Sequence, residues 1–262
     1  MRGSTQTLAI MNTAIGAFLQ FWSEAPTESA PFVHPTDAPF IRDGDLELSL
    51  LPIPINGSLI EAEAVVLMLN PDLDEEDRAW EQRPDFRGSL VKNLRQQHSG
   101  QAYPLNYLNP AFAMHPGAGY WSQTRKLGGG VRDAQKLHAV VEALASRDNV
   151  APETARAHVA RKVAILQLCP YHSSSKPPTR LLRGLPSCVQ ARSLLSALLS
   201  SGDKLVIATR SVAEWGFTRQ VDTDRLVVYA GNQGTSASLT LQSSGGQALV
   251  KRLSPVQRRN DG

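Results

Sequence analysis

The stretch AVVLMLNPDLDEED, residues 64–77, decides how this chain is read. Six apolar residues, Ala64 to Leu69, stop at Asn70-Pro71, and five carboxylates follow within the next six positions. An apolar run without alternation is the pattern of a strand buried on both faces. Pro71 fixes the turn and removes a backbone donor, so the strand ends there. The acids beyond it sit where a helix N-terminus welcomes negative charge, and equally where a carboxylate can activate a water. For Glu75, Glu76 and Asp77 the helix start is the reading adopted; Asp72 stays open between the two.

Working outward, VAILQLC (163–169), KLVIAT (204–209) and RLVVYA (225–230) repeat the buried-strand pattern. Helical segments separate them: 86–97, about 131–146, one after Pro152, 187–200 and a last short one at 246–253. Ser187 stands three residues before Gln190, the spacing of a capping box. Continuous apolar strands alternating with helices predict an α/β fold, a three-layer α/β/α sandwich around a central four-stranded parallel sheet. In such sheets ligands bind beyond the strand carboxyl ends. The segments 70–77, 170–178, 209–215 and 231–239 therefore converge on one edge.

Ahead of the sheet, Leu8, Met11, Ile15, Phe18, Leu19 and Trp22 recur at helical spacing with polar residues between them. They predict an amphipathic docking helix rather than an export core, and with it a cytoplasmic protein. Pro26, Pro31, Pro35 and Pro39 mark a connection that wraps over the surface. LELSL (46–50) alternates like a short edge strand before Pro52 and Pro54. Residues 99–130, rich in Gly, Asn and aromatics, are too long for an ordinary connection and point to a functional segment or lid.

The 262 residues can bury a sizeable core, and no apolar run is long enough to span a membrane. Cys169 and Cys188 are too few for a disulfide framework. Cys169 and His172 have ligand-like spacing in CPYH, but no second close pair accompanies them, so no metal is expected. The formal charge of +3 demands no nucleic acid by itself. Its distribution is less even: acids gather at 72–85, whereas Lys176, Arg180, Arg183 and Arg192 follow one another. Lys251, Arg252, Arg258 and Arg259 gather near the end. Such patches can track a phosphate backbone or form a solvated surface.

At the strand ends, Asn70 offers both an acceptor and a donor for a water or a polar ring edge. PYHSSSKPP (170–178) puts a phenol, an imidazole, three hydroxyls and a lysine behind a buried strand. His172 there can donate to a leaving group, take a proton, or be structural. No Gly-x-Ser-x-Gly elbow surrounds the serines, which argues against a serine hydrolase. GNQGTSASL (231–239) lacks the lysine of a phosphate loop. LGGGV (127–131) precedes a helix and reads as a hinge or an anion site. Among Tyr103, Tyr107, Phe112, Tyr120 and Trp121, one or two are expected to meet a ligand by stacking.

Together these features resemble the uracil-DNA glycosylase superfamily. LMLNPD is similar to that family's first motif in its mismatch-specific branch, where a strand runs into Gly-x-Asn-Pro-Gly. VVYAGNQGTSASL stands where the second motif does, after the last parallel strand; there the family carries His or Asn, then Pro-Ser and a loop that enters the DNA minor groove. Strand order and motif spacing fit as well. The resemblance covers about 61–252. It divides the chain into an N-terminal helix and wrap (1–60), a glycosylase-like domain (61–253) with an insertion at 99–160, and a tail (254–262). Asp72 replaces the glycine after Pro71, and Gln233-Gly234 replaces Pro-Ser. Tyr171, His172 and Ser173 stand where uracil-reading members carry an Asn, which points away from uracil toward a modified base, as in phage DNA.

The resemblance implies a monomeric DNA glycosylase without metal or cofactor, which flips a base into a pocket and hydrolyses its N-glycosidic bond. In that scheme Asn70 positions the water or contacts the base, Asp72 assists, and His172 steadies charge on the departing base. Pro71, Tyr107, Tyr171, Ser173 and Asn232 enclose the base; Lys176, Arg210, Thr235 and Ser236 contact the DNA. Two other readings fit the same residues: an inactive binder of modified or single-stranded nucleic acid, and a metal-dependent nucleotide hydrolase.

Overall fold

The computed structural model of the chain describes residues 2–122, 136–229 and 239–255. Its strands are β1 (Ile55–Asn56), β2 (Ala64–Met68), β3 (Val163–Gln167), β4 (Leu205–Ala208), β5 (Val221–Asp222) and β6 (Leu226–Val228). They form one mixed sheet in the order β1-β3-β2-β4-β6-β5. The four strands expected from the apolar runs lie side by side and parallel in its middle. The sheet nevertheless has six strands, not four. Two-residue antiparallel strands, β1 on β3 and β5 on β6, close its edges. Two residues carry no periodicity, so these edges leave no trace in the sequence pattern. LELSL does not become a strand: the segment makes one isolated bridge, from Glu47 to His172.

The helices are α1 (Arg2–Ser23), α2 (Asp77–Glu81), α3 (Pro84–Arg95), α4 (Pro116–Ser122), α5 (Leu137–Asp148), α6 (Pro152–Lys162), α7 (Thr179–Gly184), α8 (Pro186–Ser201) and α9 (Ser244–Arg252). Alternation along each central strand sends side chains to opposite faces. Val65 and Leu67 of β2, Ala164 and Leu166 of β3, and Val206 and Ala208 of β4 join α1, α7 and α8 in one core. Ala64, Val66, Val163, Ile165, Leu205 and Ile207 join α5, α6 and α9 in the other. Helices thus cover both faces, which is why these strands read as unbroken apolar runs. Residues 99–160, set apart in the sequence as an insertion, include α5 and most of α6, so this segment supplies part of that second core.

The stripe of α1 is buried through Met11, Ile15, Phe18 and Trp22 against the first core, with Leu19 partly covered. Leu8 lies outside the residues whose side chains are described. The expected capping box at α8 does not form. Pro186 opens the helix, and the Ser187 hydroxyl makes no hydrogen bond. Asp37, from the Pro-rich wrap, takes over the cap by accepting the Ser187 N–H at 2.9 Å. Gly57, just after β1, sits at φ +106°, and a Cβ there would lie 2.7 Å from the Val163 carbonyl. Only glycine lets the edge strand turn this close to β3.

Candidate functional site

The central sheet places β2 between β3 and β4, so the connections leaving β2 and β3 depart in opposite directions across the sheet. A crevice opens at such a switch point beyond the strand carboxyl ends. Here the tails of β2 and β3 continue side by side past the regular ladder: Leu168 N–H donates to the Met68 carbonyl at 3.0 Å and Cys169 N–H to the Leu69 carbonyl at 2.8 Å. Trp215 Nε1–H also donates to the Met68 carbonyl, at 3.1 Å. Above them lies a cavity of about 530 Å³, within the range of small-molecule sites, roughly 300–1,000 Å³. Its walls come from Asn70 to Asp77, from His172 to Lys176, from Arg210 and Ser211, and from the segment that holds Tyr107, His115, Tyr120 and Trp121.

At its depth is a carboxylate between two imidazoles. Asp77 is the first residue of α2, and its Oδ2 accepts the Asp74 N–H at 2.7 Å, as expected of a helix start. Its Oδ1 lies 3.5 Å from His115 Nε2, and its Oδ2 lies 3.8 Å from His172 Nδ1. Burial pushes the Asp77 carboxyl up to about 6, partly offset by the Asp74 N–H and reinforced by the charges of Asp74, Asp72 and Glu76. Burial also pushes His115 and His172 down to about 4, so both rings are neutral near pH 7. Tyr107, beside this group, is pushed up to about 12 by burial and then by the Asp77 charge.

Backbone partners fix both tautomers. The Gly117 N–H donates to His115 Nδ1 at 2.9 Å, so the His115 proton is on Nε2, toward Asp77. His172 Nδ1 lies 2.8 Å from the Asp72 carbonyl, which can only accept. The His172 proton is therefore on Nδ1, and Nε2 is a buried acceptor without a partner. His115 is held by rings, stacked on Phe86 at 4.5 Å and edge-on to Trp80 at 5.4 Å. Gly117 packs so closely beneath Tyr107 that a Cβ would fall 2.5 Å from the ring. Trp121 stacks beside Tyr107 with centroids 6.3 Å apart.

Of the residues singled out in the sequence, Asn70, Pro71, Asp72, Tyr107, His172, Ser173, Lys176 and Arg210 all line this cavity. Asn70 Nδ2 donates to the Pro71 carbonyl at 2.7 Å and to Ser173 Oγ at 2.9 Å. Ser173 in turn donates to the Ser175 carbonyl at 2.6 Å. Ser173 thus holds Asn70 in place, and its single proton is already used. Asp72 is exposed at the rim, where its Oδ1 accepts the Leu73 N–H at 3.0 Å. His172 departs from the role expected of it: as a neutral ring protonated on Nδ1, it has no proton on Nε2 to give a departing group. Tyr171 departs further. It is fully buried and does not reach the cavity; its hydroxyl donates to Asp37 at 2.7 Å and accepts the His34 N–H at 3.0 Å. Consecutive residues on an extended tail face opposite ways, so His172 and Tyr171 cannot share one pocket. Asn232, Thr235 and Ser236 lie outside the described residues, as does the Gly run 128–130.

Two cations of the basic stretch are neutralised. Lys176 pairs with Glu214 and Arg180 with Asp45, while Arg192 bonds the Leu182 and Glu214 carbonyls. Arg210 is exposed at the cavity mouth beside the Tyr120 hydroxyl. Nearby, the buried Lys136 ammonium lies over the Tyr120 ring, and burial together with the Arg210 charge pushes it down to about 7.

Asp77 and His115 were not singled out from the sequence. Asp77 is indeed a helix-start acid, and nothing local distinguishes it from Glu75 or Glu76. His115 falls inside the long segment marked as functional, which was the only available signal. Among the described residues no group of three or more His, Cys, Asp or Glu stands at metal-holding geometry. No described helix is long and apolar enough to cross a membrane. No family model, curated protein or solved structure matches the chain.

Proposed function

We propose that the chain is a DNA glycosylase, an N-glycosyl hydrolase that takes an extruded nucleotide into the switch-point cavity. The observation that carries this reading is the gradient along the cavity. Arg210 stands exposed at the mouth, where a phosphate would lie. Asn70 and the Asp72 carboxylate stand at the rim. Asp77 lies at depth beside the aromatic wall of Tyr107 and Trp121, where a base would stack.

The chemistry follows from which groups can carry a proton. Asp77, with its carboxyl near 6, retains a protonated fraction at neutral pH and can give that proton to a ring atom of the departing base. Neither neutral imidazole competes with it for this role. Asn70 Oδ1 and the Asp72 carboxylate hold the attacking water. The water oxygen bonds to C1′ of the sugar, the C1′–N bond breaks, and its electron pair leaves with the base, which takes the Asp77 proton. The water gives its own proton to Asp72, and solvent restores Asp77. His115 acts through Asp77, by presenting Nε2–H to one carboxylate oxygen.

The test is an incision assay. Oligonucleotides carrying uracil, hypoxanthine, methylated, hydroxymethylated or glucosylated bases are incubated with the full chain, with Asp77→Asn and with Asn70→Ala, then treated with alkali. Alkali-labile cleavage of at least one substrate by wild type is expected, reduced about 10²-fold or more in Asp77→Asn. A rate that falls as pH rises above about 6 is expected if Asp77 is the acid. Equal cleavage by wild type and Asp77→Asn would remove Asp77 from the mechanism. DNA binding without cleavage across the panel would leave a binding protein.

A further inference from the structure

We infer that the cavity selects a base bearing an exocyclic amino group over its keto counterpart; this rests on the reading of the cavity as a nucleobase site. Two side chains of its wall keep a buried acceptor without a partner. Gln167, the last residue of β3, is 5% exposed and lines the cavity. Neither end of its amide is hydrogen-bonded among the described residues, and its Oε1 is fully shielded. His172 is 6% exposed, and its Nε2 is the second buried acceptor without a donor. Asn70, at the rim, spends both Nδ2 protons on Pro71 and Ser173, so it offers no donor to a base.

Buried polar groups are almost always paired, so two shielded acceptors beside one cavity mark places where a ligand supplies the donors. Three nearby donors are already committed, while the Tyr120 hydroxyl and the Gln167 amide nitrogen are not. The His115 Nε2–H is aimed at Asp77, the Ser173 hydroxyl bonds Ser175, and the Trp215 Nε1–H bonds Met68. Arg210, exposed at the mouth beside the Tyr120 hydroxyl, is placed for phosphate rather than for the base. An amino group offers two protons to these acceptors, whereas a keto oxygen in the same position would face the lone pair of His172 Nε2, whose tautomer the Asp72 carbonyl fixes. A site built to hydrogen-bond one group rejects the analogue that lacks it, because its own buried atoms are then left unpaired. The protonated Asp77 complements this pattern: amino-bearing bases also present a ring nitrogen or carbonyl that accepts a proton.

The test uses matched pairs that differ by this group alone. Binding of CMP against UMP and of AMP against IMP is measured by calorimetry with the full chain. The same bases are then placed at one mispaired position in a duplex and compared by competition. The amino member is expected to bind at least tenfold more tightly in either format. Gln167→Leu is expected to reduce that ratio several-fold while the variant melts at or above the wild-type temperature, since the amide has no protein partner to lose. Equal affinities, a keto preference, or no binding in either format would overturn the inference. So would an unchanged ratio in a folded Gln167→Leu together with an unchanged ratio in His172→Phe. Abasic sites are scored in the same duplexes. An amino preference without abasic sites would overturn the hydrolytic reading and leave this recognition standing.

Discussion

Tyr171 and His172 are neighbours in the chain, and each leads to a buried aspartate, but the two aspartates live differently. On the side of Tyr171, Asp37 accepts the Tyr171 hydroxyl at 2.7 Å through one oxygen and the Ser187 N–H at 2.9 Å through the other. The Tyr171 hydroxyl is itself satisfied by the His34 N–H, and the His34 ring is bonded at both nitrogens, to Thr36 and to the Phe21 carbonyl. On the side of His172, Asp77 accepts one strong backbone bond and otherwise faces imidazoles at 3.5 and 3.8 Å. Gln167 and His172 beside it have unpaired atoms. The same residue types make a closed network in one place and an open one in the other. Closure ties the wrap to α8; openness leaves a cavity whose polar groups await a ligand.

The sharpest way to break this comparison is Asp37→Ala. It strips the cap from α8 and orphans the Tyr171 hydroxyl, so a loss of about 3–5 kcal/mol is expected in denaturant unfolding, much of the stability of a typical domain. A loss below about 1 kcal/mol would mean that the closed network is not structural.

Acid titration tests the open network. His115 and His172 have folded values near 4, below the ordinary 6.5, so the unfolded chain binds more protons between those limits. Their contribution is fully present above pH 6.5 and is lost as pH falls toward 4. Asp77 has the opposite sign: its folded value near 6 exceeds the ordinary 3.8, so it favours the fold at low pH and opposes it above 6. Glu81, also pushed up to about 6 by burial, has the same sign as Asp77; the two histidines outweigh the two carboxyls, and a net loss on the order of 2 kcal/mol is expected from pH 6.5 to 4. Unfolding midpoints across that window check it, and a flat profile would contradict the burial of both rings.

The smallest effect sharpens the contrast most. Asp77→Asn removes a buried carboxyl that opposes folding at neutral pH, so a gain of about 1–2 kcal/mol is expected at pH 7–8, with a steeper acid loss than wild type. Under the proposed function, cleavage in the incision assay should fall while stability rises, whereas at Asp37 the substitution lowers stability itself. Measured side by side, the two aspartates should move in opposite directions.

Much of the frame was legible because burial on both faces leaves an unmistakable run, as in AVVLM and VAILQ, and because the stripe of α1 repeats at helical spacing. What escaped depends on partners distant in the chain. Ser187 and Gln190 satisfy a local capping rule, yet a better acceptor arrives from Asp37, 150 positions away, and replaces it. The cations at 176–192 look like a patch, but Glu214 and Asp45 neutralise two of them. Asn70, Asp72 and His172 were visible from their place after the strands. Asp77 was not, since its meaning comes from His115 in a segment without periodicity. Tyr171 was visible for the same reason as His172 and misassigned, because the tail's alternation decides which of the two faces the cavity.

The stacked pair of Tyr107 and Trp121 has a practical consequence. Of the chain's four tryptophans, Trp121 lines the cavity, while Trp22 and Trp215 are built into the core. Its indole lies against the wall where a planar ligand would slide in, so its emission should change when the cavity fills. The molecule carries its own optical gauge, and occupancy can be followed in real time without attaching a dye to protein or ligand.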